Sequence, residues 1–326
     1  YSKSRLDIDC GVFSLLRDNR QDIIWIGTDG QGVMMYSSNP TTFRSYTFDR
    51  MPYALSKPVR ALLEDSRGTL WIATKGEGIV QIPGFKNGDK ITDTRTKHIT
   101  AENSALADES VYAFAESRLG IIWIGSEGHG LNYYSYKSGR IHTLGGDIPE
   151  SLKFIHGICE DGNTLWVATV GCGVFKLEIG EEASVPYVKK CSHISFGEEM
   201  YNMDMFFCVY KDSDGSILFG NRGGGLAVYN PANGEKKVLK FNNGRSDIAN
   251  DIWTICRSRK GDLWIGTSYG LLKVSLDDGR TGETSVKKSV HGILEGKYGE
   301  LWISTNRGLI KYIPENDKAI TYAYNY

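Results

Sequence analysis

The stretch GTLWIATKGEGIVQI, residues 68–82, returns with small changes as GIIWIGSEGHGLNYY at 120–134 and as GDLWIGTSYGLLKVS at 261–275. Aligning the chain on the tryptophan of this phrase places Trp25, Trp71, Trp123, Trp166, Trp264 and Trp302 in one register. A further copy, GSILFGNRGGGLAVY (215–229), carries Leu218 at that position. Six of the seven tryptophans in the 326 residues are used this way, at spacings of 38 to 52 residues. Self-similarity at such a period is the mark of a repeat architecture, and here it gives seven copies.

Each copy opens with a short apolar run: VFSLL at 12, VRALL at 59, VYAFA at 111, IHGIC at 155, FFCVY at 206, IWTIC at 252 and VHGIL at 290. A polar turn such as EDSRG follows, then an LWIGT-like run rich in β-branched and aromatic residues. A Gly-bearing turn and a third strand such as GLNYY come next, and a variable polar-aromatic strand closes the unit, as in FRSYTF and ITYAYNY. No segment sustains a 3.6-residue apolar period, so helices are not expected. The pattern predicts an all-β fold, a seven-bladed β-propeller in which each blade is a four-stranded antiparallel sheet. The blades run over approximately 11–48, 58–100, 110–145, 153–196, 205–241, 250–288 and 289–326. Blades sandwiched between neighbours bury both faces of their inner strands, which accounts for continuous apolar runs in place of clean alternation. The third residue of each first strand is small: Ser14, Ala61, Ala113, Gly157, Cys208, Thr254 or Gly292. Seven sheets converging on one axis require this, whereas a solenoid does not.

Five of the Gly turns read T/S/N-x-G-x-G and two are a residue shorter, TSYG and TNRG. These glycines are read as hairpin residues, because a phosphate-cradling loop needs a strand-to-helix context that is missing. The 38 basic and 39 acidic residues leave a formal charge of −1, which offers no broad footprint for nucleic acid or anionic lipid. No apolar run reaches the roughly 20 residues of a membrane span. The N-terminus, YSKSRLDIDCG, carries no signal segment, so an exported protein would have been trimmed. Six scattered cysteines without a Cys-x-x-Cys pair argue against a zinc site. In a chain long enough to build its own core they are expected as mostly free, buried thiols.

The run V-x-x-L-L-E-D-S-R-G-T-L-W-I-A-T-K-G-E-G-I resembles the two-component regulator propeller repeat, and the resemblance covers all seven copies. It implies the periplasmic sensor region of a large membrane-spanning histidine kinase, as in the hybrid two-component systems of gut Bacteroidetes. Such sensors commonly carry two successive propellers and a small β-sandwich, respond to oligosaccharides and switch on polysaccharide-use genes. The chain would then be one propeller cut from a longer array, with neighbouring sensor domains and a second protomer of a homodimer as partners. No cofactor is implied.

In a propeller the first strand is innermost, and the turn between second and third strands lies on the rim where the first strand begins. The variable turn residues are therefore expected around one mouth of the central channel: Asp29, Gln31, Lys75, Glu77, Glu127, His129, Arg222, Tyr269, Asn306 and Arg307. The second residue of each first strand belongs to the same mouth: Phe13, Arg60, Tyr112, His156, Phe207, Trp253 and His291. Planar rings mixed with hydrogen-bonding heads suit a sugar, and Arg and Lys suit an acidic one. The candidate ligand-binding set is Arg60, Tyr112, His156, Trp253, His291, Lys75, His129, Arg222, Tyr269 and Arg307. Phe13 and Phe207 are read as inter-blade packing, which is also the competing reading for the rest. Arg60, Trp253 and Tyr269 stand out, because a guanidinium or bulky ring in such places is costly without a partner. His156 and His291 lack a third metal ligand by spacing, so no metal site is assigned.

No nucleophile with its base can be picked out, so no catalytic residue is assigned. The acidic residues of EDSRG, ESRLG and KDSDG recur by repeat position and read as turn formers. Two alternatives stay open. One is a propeller lyase that would pair His156 or His291 with Glu77. The other is an interaction scaffold that would use exposed aromatics such as Tyr322, Tyr324 and Tyr326. The last blade takes its outer strand either from ITYAYNY or from the N-terminal YSKSRLDID.

Overall fold

The computed structural model describes residues 8, 10–18, 23–37, 44–46, 52–53, 55–85, 96–197, 204–241 and 247–322. It is a seven-bladed propeller. The first strands, one per blade, are Val12–Asp18, Val59–Glu64, Val111–Glu116, Ile155–Asp161, Phe206–Lys211, Ile252–Arg257 and Val290–Glu295. In every sheet the strands follow chain order, each antiparallel to the next. Blade 4 departs from the pattern. Its third and fourth strands, Val174–Glu182 and Val185–Ile194, are extended, and the short Gly145–Gly146 strand pairs parallel to the outer edge. Helix among the described residues is confined to the 3-10 turns Asp247–Asn250 and Pro314–Asn316, so no helix there is long and apolar enough to cross a membrane.

The first strands of neighbouring blades pack on one another all the way round, blade 7 against blade 1 included. The second strands are buried on both faces, as in Ile23–Thr28 and Ile121–Ser126. The repeated tryptophans sit between blades at no more than 3% exposure. The small residue after LWI has the same origin: a Cβ on Gly125 would lie 2.5 Å from Ile155 Cγ2 of the next blade, and one on Gly266 2.5 Å from Val290 Cγ1. Blades 2, 4, 6 and 7 thus press a first-strand Val or Ile into the notch left by the preceding blade.

The Gly turns are stitched into the ring as well. The leading Thr closes its own hairpin, Thr74 Oγ1 donating to Gly78 O (2.9 Å) and Thr169 Oγ1 to Gly173 O (2.7 Å). The turn amides then reach the segment leading into the next blade. Gly76 N and Gly78 N donate to Glu109 O, Gly171 N and Gly173 N to Asp204 O, and Gly225 N to Asn250 O. Gly78 has φ 70° and a Cβ there would fall 2.2 Å from Ile99 O, so only glycine fits. In these turns the glycine amides are spent on backbone carbonyls.

The acidic residues at the end of the first strands divide into two roles, which corrects their reading as turn formers. Asp65 is one, its Oδ1 accepting Arg67 N and Thr69 N at 2.9 Å. Glu116, Glu160 and Glu295 instead reach back and accept the turn amides of the preceding blade, Ser66 N, Arg118 N and Arg259 N.

Among the described residues, each blade draws its strands from one continuous stretch of chain. Lys318–Tyr322, part of the ITYAYNY region, is the outer strand of blade 7 and pairs with Gly308–Ile313. Residues 1–7 and 9, the other candidate, lie outside the described residues, but Ile8 is buried with Val12, Ile26, Trp302 and Leu309 at the seam. Arg17 Nη1 adds a bond to Glu295 O across it (3.3 Å). Tyr322 is half-buried and stacks on Trp302 (5.8 Å, 25°), so it is a packing residue and not the exposed aromatic expected of it; Tyr324 and Tyr326 lie outside the described residues. The six cysteines form no disulfide.

Candidate functional site

Every blade carries a β-bulge at one place. The pairing of first and second strands skips one residue, between Val12 and Ser14, Val59 and Ala61, Val111 and Ala113, and likewise in the other four. A bulge sets two residues against one and re-aims a side chain. The skipped residues are Phe13, Arg60, Tyr112, His156, Phe207, Trp253 and His291, the seven second positions.

Turned out of the sheets, these side chains meet each other. The Arg60 guanidinium lies 4.0 Å from the Phe13 ring centre and 5.7 Å from that of Tyr112. Tyr112 stacks on His156 (4.0 Å, 19°), and His156 faces Phe207 at 6.4 Å. Phe207 stacks on Trp253 (4.0 Å, 12°), Trp253 meets His291 edge-on at 5.1 Å, and His291 returns to Phe13 at 5.3 Å. The seven form a closed circlet, each half-buried. Phe13 and Phe207, set aside in the sequence reading, stand in it on the same footing as the others; their shared second position was the signal.

The polar tips of the circlet are partly satisfied. Tyr112 OH donates to Glu127 Oε1 (2.9 Å), and burial together with that bond raises its pKa well above the usual phenol range. Trp253 Nε1 donates to Ser268 Oγ (2.8 Å), whose hydroxyl passes to Asp251 Oδ2 (2.9 Å). Arg60 Nε is buried with no partner. His156 and His291 are both pushed down to about 4, by burial first and then by the Arg60 charge, with Lys75 adding to the effect on His156. At neutral pH the circlet therefore combines aromatic faces, two neutral imidazoles and one guanidinium cation.

The turn candidates fall on the same rim, where turn amides bond the residues just before the first strands: Lys75 N to Pro58 O, Arg222 N to Met205 O, Ser268 N to Asp251 O. Lys75, His129, Arg222 and Arg307 are exposed there, and Tyr269 is half-buried with Lys287 Nζ 5.1 Å from its ring centre. The carboxylate of the lyase pairing is already engaged. Glu77 accepts Ser56 N (2.8 Å), Lys57 N (2.9 Å) and Ser56 Oγ (3.1 Å), a carboxylate committed to the segment leading into its own blade's first strand. Among the described residues no group of three or more His, Cys, Asp or Glu could hold a metal ion.

A sequence model of the family described as "two component regulator propeller" matches residues 54–76 and 246–269, spanning the start of blade 2 through its Gly turn and the equivalent part of blade 6. Those two stretches are similar to the two-component regulator propeller repeat. A histidine kinase of Formosa agariphila, Histidine kinase P4, is 24% identical to this repeat protein over 289 residues. The match takes in 85% of the chain but only 20% of the kinase, so the chain spans about a fifth of that relative's length. Among solved structures, the extracellular domain of a protein described as a hybrid two-component system from B. thetaiotaomicron superposes with a TM-score of 0.63 at 22% identity. That match covers 96% of this chain and 46% of the other. Virginiamycin B lyase from Staphylococcus aureus superposes at 0.67 with 16% identity, covering 92% and 94%. At such identities the superpositions bear on the fold alone, which sensors and lyases share.

Proposed function

We propose that this chain is an extracytoplasmic, non-catalytic sensing propeller of a two-component histidine kinase, and that the circlet is the platform for an oligosaccharide that controls polysaccharide-use genes. The observation carrying this reading is the similarity running along 85% of the chain to a histidine kinase of which the match takes in only 20%, so that ample sequence remains there for the signalling machinery. Placement outside the cytoplasm follows the extracellular domains among its structural neighbours. The circlet supports a saccharide because flat faces take C–H groups, while the partnerless Arg60 Nε and the neutral imidazoles offer hydrogen bonds to hydroxyl or carboxylate oxygens. A bound sugar would act by favouring one packing of this propeller against an adjoining sensor domain or second protomer, a shift of population between two arrangements.

Calorimetric titration of the purified chain with neutral and acidic oligosaccharides tests the site. Binding to one class is expected, with affinity falling at least tenfold in Trp253→Ala and Arg60→Ala. Silence across the panel from well-folded protein would remove the circlet as a self-sufficient site.

A further inference from the structure

The side chain opposite the repeated tryptophan has a consistent fate in three blades. Lys176, Lys273 and Lys311 pair in register with Trp166, Trp264 and Trp302 and lie 5.3 to 5.8 Å from their ring centres. Each also has a nearby carboxylate, Glu178 (3.8 Å), Asp262 (2.7 Å) or Glu300 (3.8 Å). In blade 2 the residue opposite Trp71 is Gln81. It is 2% exposed, and its Oε1 is buried with no hydrogen-bond partner. A buried amide oxygen without a donor is costly, of the order of a lost hydrogen bond, and calls for a ligand or an ordered water.

Gln81 lines a cleft of 770 Å³ between the outer parts of blades 2 and 3. That volume lies within the roughly 300–1,000 Å³ of small-molecule sites. The fourth strands of the two blades bring Lys97 and Arg140 to this cleft, both exposed. Tyr53 and His98, whose rings lie 4.9 Å apart, supply flat faces on one side, and His142 another. Among the described lining residues there is no carboxylate to neutralise the cations.

We propose that this cleft is a second binding site, distinct from the circlet, for a small polyhydroxylated carboxylate of the uronic-acid type. The carboxylate faces Lys97 and Arg140, a ring hydroxyl donates to Gln81 Oε1, and the sugar's C–H face lies against the aromatic rings. The three demands belong to separate parts of the ligand, so an uncharged sugar or a hydroxyl-free acid meets only part of them. The assignment stands independently of the role given to the circlet.

The test is titration calorimetry with digalacturonate, its neutral galactose disaccharide counterpart and succinate, on Trp253→Ala protein, in which the circlet is disabled, and on that protein with Gln81→Leu or Lys97→Gln/Arg140→Gln added. The expected result is binding of digalacturonate at least tenfold tighter than of the other two. It should weaken about tenfold on adding Gln81→Leu and weaken further on adding the double charge substitution. Circular dichroism confirms that each variant is folded. Three results would overturn the proposal: no binding of digalacturonate, equal binding of the neutral disaccharide, or binding unaffected by Gln81→Leu. The last would leave a water as the partner of Gln81.

Discussion

His156 and His291 tie the mouth of the propeller to pH. Both have folded pKa values of about 4 against an ordinary 6.5, through burial and the neighbouring Arg60 charge. Between those values the unfolded chain binds protons that the folded chain refuses, so stability is complete above about pH 6.5 and declines as pH falls towards 4. Allowing for solvent access at the mouth, the loss should amount to roughly 1–3 kcal/mol for the pair. Thermal melts of the wild type from pH 7 to pH 4 should show this drop, and a His156→Phe/His291→Phe variant, which keeps a ring against Tyr112 and against Phe13, should flatten it. Equal slopes in the two proteins would assign acid sensitivity to carboxylates elsewhere. The second-position residues were legible in the sequence because they recur at a fixed place in an apolar run. Gln81 was not: its peculiarity exists only against Trp71 across the sheet, and against lysines at the same place in other blades.

At the scale of strands and turns, neighbours are joined by glutamates that finish one blade's first strand and cap the previous blade's turn. Glu160 accepts Arg118 N (3.1 Å) and Trp123 Nε1 (2.6 Å), both from blade 3. Glu160→Ala should therefore cost about 1–3 kcal/mol, because it strands a buried indole N–H and an amide at once. Urea denaturation measures this, and a change under 0.5 kcal/mol would mean that water replaces the carboxylate, an estimate set by ordinary surface substitutions. Trp166 Nε1 and Trp264 Nε1 are buried with no hydrogen-bond partner, so the penalty is one the fold already tolerates elsewhere. Strand order, blade number and the small third residues could be read from the chain, since Trp, Gly and apolar runs repeat with it. The bulge could not, because two residues opposing one is a relation between strands. Nor could the reach of Glu116, Glu160 and Glu295, since a local reading assigns a charged residue beside a turn to that turn. The fifth strand of blade 4 escaped for a similar reason: Gly145 and Gly146 have no strand propensity and pair only because an extended neighbour presents an edge.

For the molecule as a whole, the described contacts at the seam between blades 7 and 1 are Ile8, Val12, Trp302, Leu309 and the Arg17 bond. Trp302→Ala there should cost about 3–5 kcal/mol. Whether the ring opens as one unit can be read at Cys208, in blade 5, whose thiol burial pushes up to about 12. If opening is global, Trp302→Ala should accelerate Cys208 alkylation, followed by peptide mass spectrometry, by the factor its loss of stability dictates. Unchanged Cys208 reactivity in a destabilised variant would show the seam opening alone. The distribution of indoles through the ring also makes the protein its own optical instrument. Six are sealed between blades, while Trp253 sits half-buried on the rim, flat against Phe207 and edge-on to His291. Emission from that one chromophore carries the state of the mouth, against a background from the other six that changes only when the blades part.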